Sequence, residues 1–259
     1  MKFLALRIDD IGASTKEFEV YSNKLRGVGN FLFLKYLPYF RSWGVYREMS
    51  VRDWDGLFNF LRVKSLGLTI AVTASWVEKN GKMTPFPKKF PEQAKILKEA
   101  MKKGLCEIAN HGLTHCLAGK HLPRLFSSNR QFHREFYPYL PEDIHREHII
   151  RSQAILQDYF QEDIVTFTPP GNLWSQTTEK LCAEHGLKII SSERNEKNEY
   201  RNGLFFPSCE NTIAFHDRDI VLNSLKFMET IINRNPDVSF VNIKEMAKNL
   251  NNSLKTNVN

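Results

Sequence analysis

Three places in the sequence set polar groups of catalytic type at the end of an apolar run. Asp9 and Asp10 close the run at 2–8, His111 and His115 follow CEIAN, and His216 and Asp217 follow TIAF. In parallel α/β folds functional groups collect at the C-terminal ends of strands, so three such ends imply one shared site. His111-Gly-Leu-Thr-His115 sets two imidazoles four positions apart, which on a helical turn is one face. That spacing lets both rings reach a single cation. Catalytic zinc commonly keeps three protein ligands and one open position, and Asp10 is the natural carboxylate to complete the set. Neighbouring strand residues point to opposite faces, so Asp9 and Asp10 are expected to divide their work. One would face the metal and the other the attacking water.

These groups need strands to carry them and helices to cover the strands. The sequence predicts strands at 2–8, 68–73, 105–109, 164–167, 187–191, 211–215 and 238–241. Helices are predicted at 53–64, 91–103, 143–160, 175–185, 221–233 and 243–250. Leu57, Phe58 and Leu61 give the first helix its apolar side. Pro91 opens the second and Gly104 ends it, while Gly186 stops the fourth after His185, a residue suited to a helix C-terminus. Repeated β-α units of this length imply parallel strands, in a barrel or an open sheet. The polar stretch 251–259 reads as a C-terminal tail to a single domain, 1–250.

Composition bounds the rest. A chain of 259 residues, 42% apolar and 25% charged, is long enough to bury a core without staples. Cys106, Cys116, Cys182 and Cys209 form no close pair, which fits a reducing compartment. Cys116 beside His115 reads as a small buried filler rather than a ligand. The first apolar run is too short for a secretory signal, and no stretch is long enough to span a membrane, so a cytoplasmic protein is expected. The net charge of +7 favours anionic partners, but the cations are scattered, which argues against nucleic acid. Residues 29–43 crowd Phe31, Phe33, Tyr36, Tyr39, Phe40 and Trp43 among Lys35 and Arg41. This segment reads as a packed excursion over one barrel end, or as a lip for substrate or a membrane interface. Trp76 and Trp174 stand where a sugar ring can stack, or serve as packing. His121, His133, His145 and His148 are expected at the surface.

Taken in order, the motifs resemble the polysaccharide deacetylase superfamily (carbohydrate esterase family 4, the chitooligosaccharide deacetylase homology domain). The matching segments are Ile8-Asp9-Asp10, Glu107 to His115, Thr168-Pro-Pro-Gly-Asn172, Phe215-His216-Asp217, and the closing strand and helix around 239–245. The resemblance implies a distorted (β/α) barrel with about seven parallel strands. It implies Asp10, His111 and His115 as metal ligands, Asp9 as general base and His216 as general acid. The Pro170-Gly171 turn would offer a backbone N–H to the oxyanion. Three departures stand out. Thr168 replaces an arginine that orients the base, Gly171 and Asn172 replace an aromatic and a glycine, and Gly112 replaces serine or threonine. Arg7 lies two residues before Asp9, on the same strand face, and is expected to supply the missing positive charge.

The resemblance therefore implies a metal-dependent hydrolase that removes an N-acyl group, chiefly N-acetyl, from an amino sugar. The basic surface and cytoplasmic expectation point to a phosphate- or lipid-linked precursor of surface polysaccharide or glycolipid, met at the inner membrane face. Two other readings stay open: an allantoinase-like hydrolase of a non-sugar C–N bond, and an inactive barrel that binds glycan or a partner. The donor set suits zinc, and also cobalt, manganese, iron or nickel. Oligomeric state is open.

Overall fold

In a computed structural model the protein is described over residues 2–17, 47–78, 80–118, 120 and 134–256. The chain runs β1 (Lys2–Ile11), α1 (Val51–Lys64), β2 (Leu68–Val72), β3 (Ser75–Val77), β4 (Met83–Pro85), α2 (Phe86–Lys89), α3 (Pro91–Lys102) and β5 (Cys106–Asn110). It continues through α4 (Glu142–Phe160), β6 (Thr166–Phe167), α5 (Gln176–Glu184), β7 (Ile189–Ile190), β8 (Glu199–Arg201), β9 (Leu204–Phe206) and β10 (Thr212–His216). It ends with α6 (Asp217–Asn223), α7 (Lys226–Asn233), β11 (Val238–Val241) and α8 (Ile243–Thr256).

One sheet takes the order β10-β1-β2-β5-β6-β7-β9-β8, with β11 added alongside β1. Every pairing in it is parallel except the β8–β9 hairpin. Three strands separate β1 from β7 in that order, yet Arg7 on β1 donates a hydrogen bond to the Ser191 carbonyl just past β7. The sheet therefore curls on itself into a half-barrel, the distorted (β/α) barrel expected from sequence.

Alternation along the strands assigns the two faces. Leu4, Leu6, Ile8, Leu68, Ile70, Val72, Cys106 and Ile108 pack in one cluster with Trp54, Leu57 and Leu61 of α1, Leu97 of α3 and Leu156 of α4. The intervening positions Ala5, Arg7, Asp9, Thr69, Ala71 and Glu107 are small or polar and point into the barrel. Both sets are buried, which is why the strands read as nearly continuous runs. At the N-terminal end of the strands, Ile243, Met246 and Ala247 of α8 plug the interior against Ala5, Ile189 and Phe205. Glu107 ties this plug to the sheet. Its carboxylate accepts from the Thr69 hydroxyl (2.8 Å), the Thr166 hydroxyl and the Lys244 N–H (2.9 Å) at the start of α8.

Some expectations need correction. The helix predicted at 221–233 is two helices, because Ser224 takes φ 54° between α6 and α7. The β3–β4 and β8–β9 hairpins and α2 are too short to leave a periodic signal. His145 and His148, expected at the surface, lie on the buried side of α4. His145 Nδ1 is 3.0 Å from the Thr178 hydroxyl, and His148 pairs with Glu135. α8 runs to Thr256, past the expected start of the tail. Residues 29–43, His121 and His133 lie outside the described residues. No described helix is long and apolar enough to cross a membrane.

Replacing Glu107 with alanine would leave two buried hydroxyls and an α8 N–H without their acceptor. Glu107→Ala is expected to cost about 1–3 kcal/mol in urea unfolding, with the far-ultraviolet spectrum unchanged. An unshifted midpoint would show that α8 is held by its apolar contacts alone.

Candidate metal centre and catalytic cleft

The cleft begins with a break in β1. The β1–β2 register slips between Ile8 and Ile11, and Asp10 takes φ 69°, a left-handed conformation unusual for a side-chain-bearing residue. The period-2 alternation expected to send Asp9 and Asp10 to opposite faces is interrupted here. A short turn, Ser14–Glu17, follows at once and brings Lys16 back beneath the break. The buried Lys16 ammonium donates to the Asp10 carbonyl, to Asp217 (2.7 Å) and to Glu48 (3.2 Å). Burial works against the ammonium, but Asp217, Glu48 and Asp10 together raise its pKa. Glu48 also accepts from the Gly12 N–H at 2.6 Å. Burial pushes its carboxyl up to about 7 against the pull of Lys16.

Asp10, His111 and His115 converge in this buried pocket, each 5% exposed or less. Asp10 Oδ1 lies 3.2 Å from His111 Nε2 and 3.0 Å from His115 Nε2. Ligand atoms around a tetrahedral ion sit about 3.3 Å apart when each is about 2.0–2.1 Å from the metal. The outer nitrogen of each ring faces a protein oxygen. His111 Nδ1 is 2.7 Å from the Thr168 carbonyl, which can only accept, so Nδ1 carries the proton. Nε2 of each ring is thereby turned toward Asp10 Oδ1, and the three atoms together can serve one divalent cation as ligands. His115 Nδ1 is 2.6 Å from the Thr15 hydroxyl, which can take its proton when Nε2 binds an ion. By this test the residues fit a divalent cation.

Electrostatics points the same way. Although burial favours the neutral acid, His115, His216 and hydrogen bonds from both ligand histidines hold the Asp10 carboxyl well below its usual range. Burial and the neighbouring Arg134 guanidinium press His115 down to about 3, so the ring is neutral, as a ligand must be. Arg134 Nη1 lies 2.7 Å from His115 Nδ1 and 3.1 Å from Nε2. The guanidinium can only donate, so neither a protonated Nδ1 nor an Nε2 that holds a cation can also accept from it.

The segment 111–115 is not the helical turn its spacing suggested. It is an irregular loop with Gly112 at φ 79° and His115 at φ 66°. The buried Glu135 carboxylate accepts from three successive loop N–H groups, those of Leu113 (3.0 Å), Thr114 (3.2 Å) and His115 (2.9 Å).

Arg7 and Asp9 form a bidentate pair inside the barrel, with Nε to Oδ1 at 2.8 Å and Nη2 to Oδ2 at 2.7 Å. Arg7 Nη1 also donates to the Ser191 hydroxyl at 2.8 Å. Asp9 is the register neighbour of His216 on β10. The His216 side chain is 37% exposed at the mouth, with Nε2 3.9 Å from Asp10 Oδ2 and Nδ1 3.8 Å from Asp219. Burial opposes its charge, yet Asp10 and Asp219 raise its pKa above the ordinary value. Arg218 reaches Asp10 Oδ2 at 3.4 Å.

The remaining candidates divide. Pro170 is buried, and Gly171 takes φ 63° in a tight turn at 170–172. Only Gly171 of that pair has an N–H to give, since proline has none. Trp76, read as a platform for sugar, is 5% exposed, packed edge-on against Phe90 and capped by Lys89. Its faces are not open to substrate. Trp174 is half-buried, its ring against Phe206 and Arg201. Sequence reasoning missed Thr15, Lys16, Glu48, Arg134, Glu135, Ser191 and Arg218. They act through contacts distant in sequence, and no spacing marks them.

Comparison with known proteins places the chain. The family model described as polysaccharide deacetylase matches residues 48–190, taking in His111, His115 and the 168–172 turn. A Mycobacterium smegmatis protein named as a polysaccharide deacetylase superposes with a TM-score of 0.56 at 13% identity, over 97% of this chain and 91% of that one. A mutant of a family 4 carbohydrate esterase pseudoenzyme, with restored enzymatic activity, gives a TM-score of 0.53 at 12% identity. That match covers 94% of this chain and 67% of the other; the wild-type pseudoenzyme is from Bacillus anthracis. A search of curated proteins found no match. At these identities the superpositions speak for the fold. The family model spans more than half of the sequence, and on that match the chain belongs to the polysaccharide deacetylase family.

Proposed function

We propose that the protein is a metal-dependent hydrolase that removes an N-acyl group, chiefly N-acetyl, from an amino sugar. The observation that carries this reading is the buried Asp10–His111–His115 cluster, in which Asp10 Oδ1 lies 3.2 Å from His111 Nε2 and 3.0 Å from His115 Nε2. A bound divalent cation would supply Lewis acidity toward the acyl oxygen and the attacking water. Zinc suits the donor set first, with cobalt, manganese, iron and nickel as alternatives.

The chain's own residues divide the proton work. Asp9, oriented by Arg7 and partly neutralised by it, takes the proton of the attacking water. Protonated His216, across the mouth, gives a proton to the departing amine as the C–N bond breaks. Gly171 N–H in the Pro170 turn is assigned to the oxyanion, and Trp174 to the sugar, on the family resemblance. The +7 charge, with the aromatic and cationic composition of 29–43, supports a phosphate- or lipid-linked sugar taken at the inner face of a membrane.

A second reading, an inactive glycan-binding barrel, draws support from the fold shared with a mutant of a family 4 pseudoenzyme and from Thr168 in place of arginine. The bidentate Arg7–Asp9 pair weighs against it, because the proposed base keeps a guanidinium partner, supplied from its own strand.

Chelation should abolish acetate release from N-acetylated sugars, and one equivalent of zinc or cobalt should restore it. Asp9→Asn should bind the metal normally while kcat falls about 100- to 10,000-fold. His111→Ala should lose metal binding itself. Metal binding without turnover, across a panel of acetylated sugars and cyclic ureides, would favour the inactive barrel. Turnover of ureides alone would move the substrate class.

In metal-free protein, an NMR titration of His216 should have its midpoint above 6.5, and Asp219→Asn should lower it. The raised value means that protonated His216 stabilises the metal-free fold below pH 6.5. That contribution fades as pH rises through the folded-state midpoint. A midpoint below 6.5 would mean that burial outweighs the two carboxylates.

A further inference from the structure

The glycines at 112 and 171, two of the motif departures, face one dipeptide. A Cβ at 112 would stand 1.9 Å from Glu135 Oε1, and a Cβ at 171 would stand 2.8 Å from Arg134 Nε. The space that side chains at 112 and 171 would need is filled by Arg134 and Glu135. Glu135 is fully buried, a costly position for a carboxylate unless donors surround it. Its donors are the N–H groups of Leu113, Thr114 and His115 and Nδ1 of His148. Three consecutive N–H groups converging on one anion form a nest, a shape the left-handed residues in this loop allow. The loop is thus gripped from behind by Glu135, while its two imidazoles project forward onto Asp10.

We propose that Glu135, anchored by His148 on α4, is a positioning residue that sets His111 and His115 for a common cation, and that Gly112 is glycine to admit it. This inference rests on the metal-site reading above. It assigns the grip on the ligand loop to a side chain twenty or more positions from either glycine's motif, where no spacing would reveal it. In chemical terms, one buried carboxylate replaces a side chain at 112 as the brace of the loop.

The test uses the full-length protein with zinc as the probe. Glu135→Gln keeps the shape but turns one acceptor oxygen into an NH2 facing loop N–H groups. In metal-free protein, exchange of the Leu113, Thr114 and His115 amides should accelerate at least about 10-fold, with β2 amides unchanged. Zinc affinity, read by competition with a chromophoric chelator, should fall about 10- to 100-fold. Gly112→Ser alone should weaken zinc binding, and Gly112→Ser combined with Glu135→Ala should recover part of it. That reversal is one a general loss of stability would not produce, and it keeps the test open if Glu135→Gln folds poorly. Wild-type exchange and affinity in Glu135→Gln would overturn the proposal, as would Gly112→Ser being equally damaging with and without Glu135. Failure of the wild-type protein to bind zinc would sink the metal-site reading instead, and the exchange measurement would still decide whether Glu135 holds the loop.

Discussion

The break in β1 at Asp10 is the constraint on which the site depends, and Lys16 holds it. A non-glycine residue at φ 69° costs on the order of 1–3 kcal/mol unless its surroundings fix it. Here a buried ammonium grips the Asp10 carbonyl and ties it to Asp217 and Glu48. Asp217 begins α6, one residue beyond His216, so the same cation registers the end of β10 against the end of β1. Without the break, Asp9 and Asp10 would face opposite sides of the sheet. With it, one aspartate stays in the barrel with Arg7 while the next turns to the histidines.

That arrangement is possible because the half-barrel separates its two kinds of burial. The outer face of β1, β2 and β5 is largely aliphatic and takes up the helices, so the largest apolar cluster lies outside the barrel. The interior can then hold Arg7, Asp9, Thr69 and Glu107, provided each finds a partner. Each does: Arg7 with Asp9 and Ser191, Glu107 with two threonines and the α8 backbone. The plug at the N-terminal end leaves the opposite end open for the cleft. One strand, β5, joins both ends, carrying Glu107 at the plug and leading into His111 at the site.

What the sequence revealed follows from which interactions are local. The β-α alternation, the strand ends and the aspartates and histidines on them were legible, since period and sequence order mark all of these. Arg7 was legible because two positions along a strand fix a shared face. The turn at 111–115 was misread as helical, since His-x-x-x-His spacing is indifferent to whether the backbone between is helix or loop. His145 and His148 looked like surface residues because their neighbours are polar. Their burial depends on Thr178 and Glu135, which the fold brings to α4 from elsewhere. Trp76 sits at the end of an apolar run, as a platform would, but the unforeseen hairpin and α2 cover it.

The departures from the family pattern are therefore better understood as relocations of charge and contact than as losses. At Thr168 an arginine is missing, but a guanidinium still meets Asp9, the proposed base, delivered by Arg7 from the same strand. The Thr168 side chain takes another contact, its hydroxyl lying 3.0 Å from His111 Nδ1. At Gly112 the side chain has gone, and a carboxylate from 135 enters the space. Here the buried charges of the cleft, Arg7, Asp9, Asp10, Lys16, Glu135 and Asp217, are each paired through side chains or backbone contributed by other parts of the chain. Such interdependence is costly to keep, since removing any one partner strands another in low dielectric. That mutual pairing fixes the arrangement of the cleft on which the proposed roles of Asp9, Asp10 and His216 rest.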